Sequence, residues 1–148
     1  MNYKTPKKLA VIQDMAGIGR CSLSVALPII SACHVQACPM PTALFSNHTG
    51  FPTYYKHDFT PYIPDYLDAW KKLDQHFDGI YCGYLGSSAQ MELISSYIKE
   101  EKSLLPGTRI MIDPVFGDHG HLYHGLSDDY VSAMRSFIHS ADLITPNL

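Results

Sequence analysis

Asp113 and Asp118 bracket the stretch Asp113-Pro-Val-Phe-Gly-Asp118, two carboxylates close enough in sequence to serve one ligand. The apolar run Ile110 to Ile112 ahead of them predicts the end of a buried parallel strand. Pro114 predicts that the strand stops there, since proline has no N–H to give a central ladder. Gly117 offers the loop a tight backbone turn. In open α/β sheets ligands sit outside the carboxyl ends of the strands, and carboxylates in such a place suit a hydrated magnesium ion and a phosphate. Ordinary turn chemistry uses the same residue types, so the rest of the chain has to decide.

Other predicted strand ends collect comparable residues. An apolar strand from Leu9 to Gln13 leads into Asp14, with Gly17 and Gly19 close behind. Ser22 is placed as the N-cap of a helix reaching about Ala32, with Leu23, Ala26, Leu27 and Ile30 at helical spacing and a bend at Pro28. His34 to Met40 reads as a second strand, closed by Pro39 and Pro41. Residues 42–61 hold Phe45-Ser-Asn-His-Thr-Gly50 without helical or clean strand period, and such a stretch inside a domain is usually functional. A helix from Pro64 to Phe77 should bury Tyr66, Leu67, Trp70 and Leu73. Gly79 to Gly83 is a third strand running into Tyr84, followed by a helix from about Ala89 to Leu105 that Pro106-Gly107 stops. After the Asp113 loop come a helix from about Asp128 to His139 and a fifth strand, Ala141 to Thr145, with Asn147 just beyond.

Alternating strands and helices predict an α/β fold, an open, mostly parallel sheet with helices on both faces, in one domain over residues 1–148. No helix follows the last strand, so the expectation is a sheet incomplete at its C-terminal side, the front part of a longer domain. With 46% hydrophobic and 17% charged residues, the chain has material for a sizeable core. A net charge of -3 argues against a nucleic-acid surface. No apolar run reaches membrane-spanning length and no signal-peptide pattern is present, which makes the cytoplasm the default expectation. Cys21, Cys33, Cys38 and Cys82 lack metal-ligand rhythm and read as free, small apolar residues.

Several chemistries can be set aside on spacing. No G-x-x-x-x-G-K-[ST] occurs, which excludes a P-loop. Gly17-Ile-Gly19-Arg-Cys-Ser22 resembles a dinucleotide fingerprint, but no Asp or Glu stands between Asp14 and Asp58 to take the ribose. His119, His121 and His124 invite a zinc reading; without a helix face or a nearby cysteine, surface-loop histidines fit better. No G-x-S-x-G elbow supports a Ser-His-Asp hydrolase.

Val11-Ile-Gln-Asp14, Phe45-Ser-Asn-His-Thr-Gly50, Gly83-Tyr-Leu-Gly-Ser87, Asp113-Pro-Val-Phe-Gly-Asp118 and Ile144-Thr-Pro-Asn147 follow the order seen in pyridoxal kinases of the ribokinase-like superfamily. The chain resembles the bacterial pyridoxamine/pyridoxal branch, with the pyrimidine kinases of thiamin synthesis as close relatives. The resemblance implies a three-layer α/β/α fold and ATP-dependent phosphorylation of the 5′-hydroxymethyl group of a B6 vitamer, in salvage to pyridoxal 5′-phosphate. It implies ATP and Mg2+ as cofactors, with a monovalent cation as an optional third, and a homodimer as the assembly. Asp14, Phe45, His48, Thr49 and Tyr84 would surround the ring. Asp113, Asp118, Thr145 and Asn147 would approach the ATP phosphates, with Asp113 and Asp118 on the metal. The loop from Phe51 to Phe59 would form part of a lid.

Two departures from the family pattern bear on function. Asp14 stands where many pyridoxal kinases carry serine, and an acidic residue suits a protonated ring nitrogen. The family's G-x-G-D segment, which holds the residue that takes the hydroxyl proton, is absent from this sequence, so no catalytic base is expected within it. The alternatives to a B6 kinase are a hydroxymethylpyrimidine (phosphate) kinase and a non-catalytic ligand-binding fragment.

Overall fold

The computed structural model describes residues 6–118, 120–123 and 126–147, without the side chain of Asp118. Its main sheet has six strands: β1 (Lys8–Ile18), β2 (Gln36–Asn47), β3 (Lys56–Asp58), β4 (Gly79–Cys82), β5 (Arg109–Ile112) and β8 (Leu143–Ile144). A small hairpin is formed by β6 (Gly117–Asp118) and β7 (His121–Leu122). The helices are α1 (Ser22–Ala32), α2 (Ile63–Lys72), α3 (Ser88–Leu104) and α4 (Asp128–Phe137). The strand order is β3-β2-β1-β4-β5-β8, parallel throughout except for β3 at the edge. This is the open, mostly parallel sheet expected.

From β1 the chain first steps outward to β2 and later returns to the other side of β1 to lay down β4, β5 and β8. Right-handed crossovers then put α1 on one face and the later helices on the other. Packing agrees: Ala10, Ile12, Met40, Ile80, Cys82, Ile110 and Ile112 share one core with residues of α2, α3 and α4. Helix α1 lies against β1 and β2 through buried Leu23. Alternate strand residues such as Ile80 and Cys82, or Ile110 and Ile112, point to one face because side chains alternate along a strand. Among the described residues no helix is long and apolar enough to cross a membrane.

Three elements differ from the sequence expectation. Strand β2 does not close at its prolines but runs through them to Asn47. The Gln36 N–H donates to Lys7 O at 2.8 Å, on the β1 side. Alternation then aims positions 39 and 41 at the outer side, where β3 pairs only with Ala43, Leu44 and Phe45. A missing N–H costs nothing there, as at any sheet edge. Strand β1 likewise continues past Asp14 to Ile18. Helix α2 ends at Lys72 rather than Phe77, because Asp74 turns the chain at φ 51°, and Leu73 is left 68% exposed. Phe77 is nevertheless buried, its ring 4.8 Å from that of Trp70.

The β1–β2 register contains a bulge. Gln13 pairs with Pro41 and Met15 with Leu44, so β1 takes two steps where β2 takes three. The extra residue lies at Thr42-Ala43, and bulges of this sort re-aim side chains near functional sites. Thr42 is fully buried. Its hydroxyl donates to Tyr84 O at 2.7 Å, and its carbonyl accepts from Phe59 N at 3.1 Å and from Gln90 Nε2 at 2.9 Å. Gln90, in the first turn of α3, also accepts from Gly86 N at 2.7 Å and donates to Thr60 Oγ1 at 2.8 Å.

Gln90→Leu keeps the volume but strips partners from Gly86 N, Thr42 O and Thr60 Oγ1. The expected cost is about 1–3 kcal/mol: Gly86 N loses its acceptor, while Thr42 O keeps the Phe59 N–H and Thr60 Oγ1 keeps Asp58. Urea unfolding of the variant measures this, and a loss below about 1 kcal/mol would show that the amide is not a structural tie.

Candidate functional site at the carboxyl ends of the strands

The parallel strands deliver Gly19, His48, Gly83, Asp113 and Thr145 to one edge of the sheet. Strand order reverses between β1 and β4, and such a switch point opens a crevice in this fold type. Strands β1 and β2 extend beyond their neighbours: β4 pairs with β1 only from Leu9 to Ile12, whereas β1 and β2 stay paired to Ile18 and Asn47. The resulting arm rises beside the crevice and carries Asp14, Phe45 and His48.

Phe45 belongs to a small apolar cluster separate from the main core, with Ala16, Ala43, Cys21 and Tyr84. Its ring meets Tyr84 edge-on at 5.9 Å and Tyr54 at 5.7 Å. Asp14 is 8% exposed. Burial pushes its carboxyl above the usual aspartate value, while a hydrogen bond from the Ser22 side chain and the charge of Lys56 act in the other direction. Ser22 is therefore not the cap expected: Cys21 holds that position, and Ser22, at φ 51°, serves Asp14.

His48 stands at the end of the arm, its N–H donating to Ile18 O at 3.0 Å and its Nδ1 accepting from Gly50 N at 3.1 Å. Its ring rests on Phe51 at 4.7 Å. Gly19, at φ +135°, lies beneath it, and a Cβ there would come within 2.7 Å of the imidazole Cδ2. Thr49 is exposed and makes no side-chain hydrogen bond among the described residues. The structure thus joins Phe45 and Tyr84 in one cluster, with buried Asp14 on the same arm and within reach of the charge of Lys56, His48 at the end of that arm and Thr49 outside these contacts.

A second region lies across the crevice. Asp113 follows β5, its N–H donating to Cys82 O at 2.8 Å, and burial raises its carboxyl above the usual range. Among the described residues that carboxylate has no ion-pair partner. Thr145 N donates to Ile112 O at 3.1 Å, and Asn147 Nδ2 donates to Gly117 O at 3.0 Å and Tyr123 Oη at 3.3 Å. Pro114, Gly117, Gly120, His121 and Asn147 line a cavity of about 240 Å3. Gly117 is not the turn residue expected; Gly120 takes the turn at φ +78°. A Cβ on Gly117 would approach His121 O at 2.6 Å, so hairpin pairing is what excludes a side chain there. The side chain of Asp118, and His119 and His124, lie outside the described residues. Among the described residues no group of three metal-type ligands forms.

Sequence reasoning missed Lys56. Its ammonium donates to Tyr84 Oη at 3.1 Å and lies 5.7 Å from the Phe45 ring centroid and 5.6 Å from that of Tyr84. Each such cation–ring contact contributes about 0.5–1 kcal/mol at an exposed site. An isolated lysine in an aperiodic stretch carries no signal; only the β2–β3 pairing reveals its place.

Asp14 also predicts a pH dependence. A carboxyl raised on folding binds more protons in the native than in the unfolded state, so stability falls as pH rises from its ordinary value of 3.8 through the raised one. Asp14→Asn removes that fall and should melt higher than the parent at neutral pH, with the gap closing in acid. Thermal melts across pH check this, and an Asn variant that melts lower at neutral pH would mean the Ser22 and Lys56 interactions outweigh burial.

No protein-family model matches the chain. Pyridoxine/pyridoxal/pyridoxamine kinase of Bordetella pertussis is 30% identical over 148 residues, covering 96% of this chain and 51% of the relative. A candidate phosphomethylpyrimidine kinase of Bacteroides thetaiotaomicron, crystallised with pyridoxal, is 45% identical with a TM-score of 0.93 over 97% of this chain and 50% of its own. Pyridoxal kinase of Lactobacillus plantarum is 35% identical with a TM-score of 0.87 over 97% of this chain and 50% of its own. The chain spans about half the length of these relatives. Aligned along nearly its whole length with these kinases in both sequence and fold, the chain belongs to the ribokinase-like family.

Proposed function

We propose that the chain carries the ring-binding and metal-side parts of a kinase that transfers the γ-phosphoryl of ATP to the 5′-hydroxymethyl group of a B6 vitamer. The observation that carries this reading is the Phe45–Tyr84 cluster at the switch point of the sheet, with the buried carboxylate of Asp14 on the neighbouring strand. An aromatic face beside a buried carboxylate suits a flat, protonatable heterocycle. The likeness to a Bacteroides protein crystallised with pyridoxal supports it.

In this reading Phe45 and Tyr84 meet the ring, Asp14 accepts from its protonated nitrogen, and His48 and Thr49 serve its polar edge. Asp113, Asp118, Thr145 and Asn147 face the phosphates. Asp113 fits a magnesium ligand: its buried carboxylate is penalised for its charge and lacks an ion-pair partner among the described residues, so a cation would relieve it. Magnesium asks for one or two carboxylates and takes its other oxygens from phosphate and water. When bound, the ion neutralises charge that builds up on the transferred phosphoryl. No residue of this sequence is assigned to accept the hydroxyl proton. A homodimer and a cytoplasmic setting complete the proposal.

A hydroxymethylpyrimidine kinase is the second reading, favoured by the 45% identity to the candidate phosphomethylpyrimidine kinase of Bacteroides thetaiotaomicron. Calorimetric titration separates the two. Pyridoxal should bind the chain more tightly than 4-amino-5-hydroxymethyl-2-methylpyrimidine, and Phe45→Ala should weaken pyridoxal by about tenfold through loss of the ring contact. Coupled ADP release from the chain alone should be slow. Tighter pyrimidine binding would favour the second reading, and no binding of either ring would sink both.

A further inference from the structure

Resting on that reading, we propose that Lys56 selects the substrate by charge. Held between Phe45 and Tyr84, its ammonium would pair with the anionic ring oxygen of a 3-hydroxypyridinium, while Asp14 takes the ring N–H+.

The position of Lys56 is set by the sheet. It pairs directly with Phe45 across the antiparallel β2–β3 ladder, which puts both side chains on one face. From there the lysine spans the crevice mouth: a Cβ on Gly86, in the loop after β4, would come within 3.7 Å of Nζ. The ammonium is not consumed by an ion pair. Asp58, two residues on, gives its Oδ1 to Thr60 N, Thr60 Oγ1 and Gln90 Nε2. Among the described residues Lys56 has no carboxylate within 4.0 Å, and its hydrogen bond is to Tyr84 Oη. An ammonium has three donors, so two are left for a ligand.

The chemistry of the ligand follows from the pair of charges. A carboxylate and an ammonium bordering one aromatic cluster complement a ring that carries both signs. A 3-hydroxypyridine does so near neutrality, because the protonated ring nitrogen stabilises the 3-oxyanion. An aminopyrimidine has no anionic oxygen and gains nothing from the lysine, whose desolvation it would still cost. Lys56 would thus separate the two substrate classes.

The test compares ligands that differ in that oxygen. Pyridoxine, 3-deoxypyridoxine and 4-amino-5-hydroxymethyl-2-methylpyrimidine are titrated calorimetrically into the chain, into Lys56→Met and into Lys56→Arg, with circular dichroism as the fold control. The parent should prefer pyridoxine to its 3-deoxy analogue; Lys56→Met should cut that preference about tenfold, the usual worth of a charge-assisted hydrogen bond, and Lys56→Arg should keep most of it. A lysine that merely braces Tyr84 would weaken all three ligands alike, and that result overturns the proposal. Pyridoxine bound to the parent should show the ultraviolet band of the 3-oxyanion, a readout that needs no variant; a neutral 3-hydroxyl in the complex also overturns it. Failure of the parent to bind any ring sinks the kinase reading itself and is distinguishable from both.

Discussion

A buried primary amide holds the site together. Gln90 is fully buried in the first turn of α3, where an amide without partners would cost several kcal/mol of the order that unfolds a small domain. It is satisfied only because three separate segments converge on it: Thr42 at the β2 bulge, the turn at Asp58 and Thr60, and Gly86 after β4. These segments carry or adjoin Phe45, Lys56 and Tyr84. At the bulge the Thr42 carbonyl takes both the Phe59 N–H and the Gln90 amide, one on each lone pair. The aromatic cluster is then fixed indirectly, through the polar atoms that this buried amide gathers.

Much of the architecture was legible because each helix and strand obeys its own period. Met91, Ile94 and Ile98 sit at helical spacing and are buried, and Ser87 caps α3 by accepting from Gln90 N. The errors share a cause. Whether a proline ends a strand depends on which neighbour its missing N–H would have faced, and this requires the strand order. The sequence around Pro39 and Pro41 is silent on that order. Leu73 fits the apolar stripe of α2, but the left-handed Asp74 unwinds the chain before the stripe can be completed.

The candidate site was legible in a different way. Asp14, Phe45, Tyr84, Asp113 and Asn147 stand out because polar or aromatic residues directly after apolar strands have little structural reason to gather. Lys56 and Gln90 have no such local mark. Lysine in a polar stretch looks like solvated surface, and glutamine in an amphipathic helix looks like its outer face. Both become informative only when a non-local partner appears: the Phe45 pairing for one and the Thr42 bulge for the other.

One phenol adds to the β4–β5 pairing in setting the spacing between the two halves of the crevice. Tyr130 projects from α4 and its hydroxyl donates to Leu85 O at 2.7 Å, with Val115 O at 3.4 Å. Leu85 follows Tyr84, and Val115 lies two residues beyond Asp113. One buried hydroxyl therefore ties the loop on the aromatic side to the loop on the carboxylate side. Burial raises its ionisation above the usual phenol range, which keeps it a donor at neutral pH. Under the kinase reading this tie sets the distance between acceptor alcohol and phosphate, and a displacement of about 1 Å between reacting groups can cost a hundredfold in rate. Through Tyr130, helix α4 thereby bears on how the ring side and the phosphate side face each other.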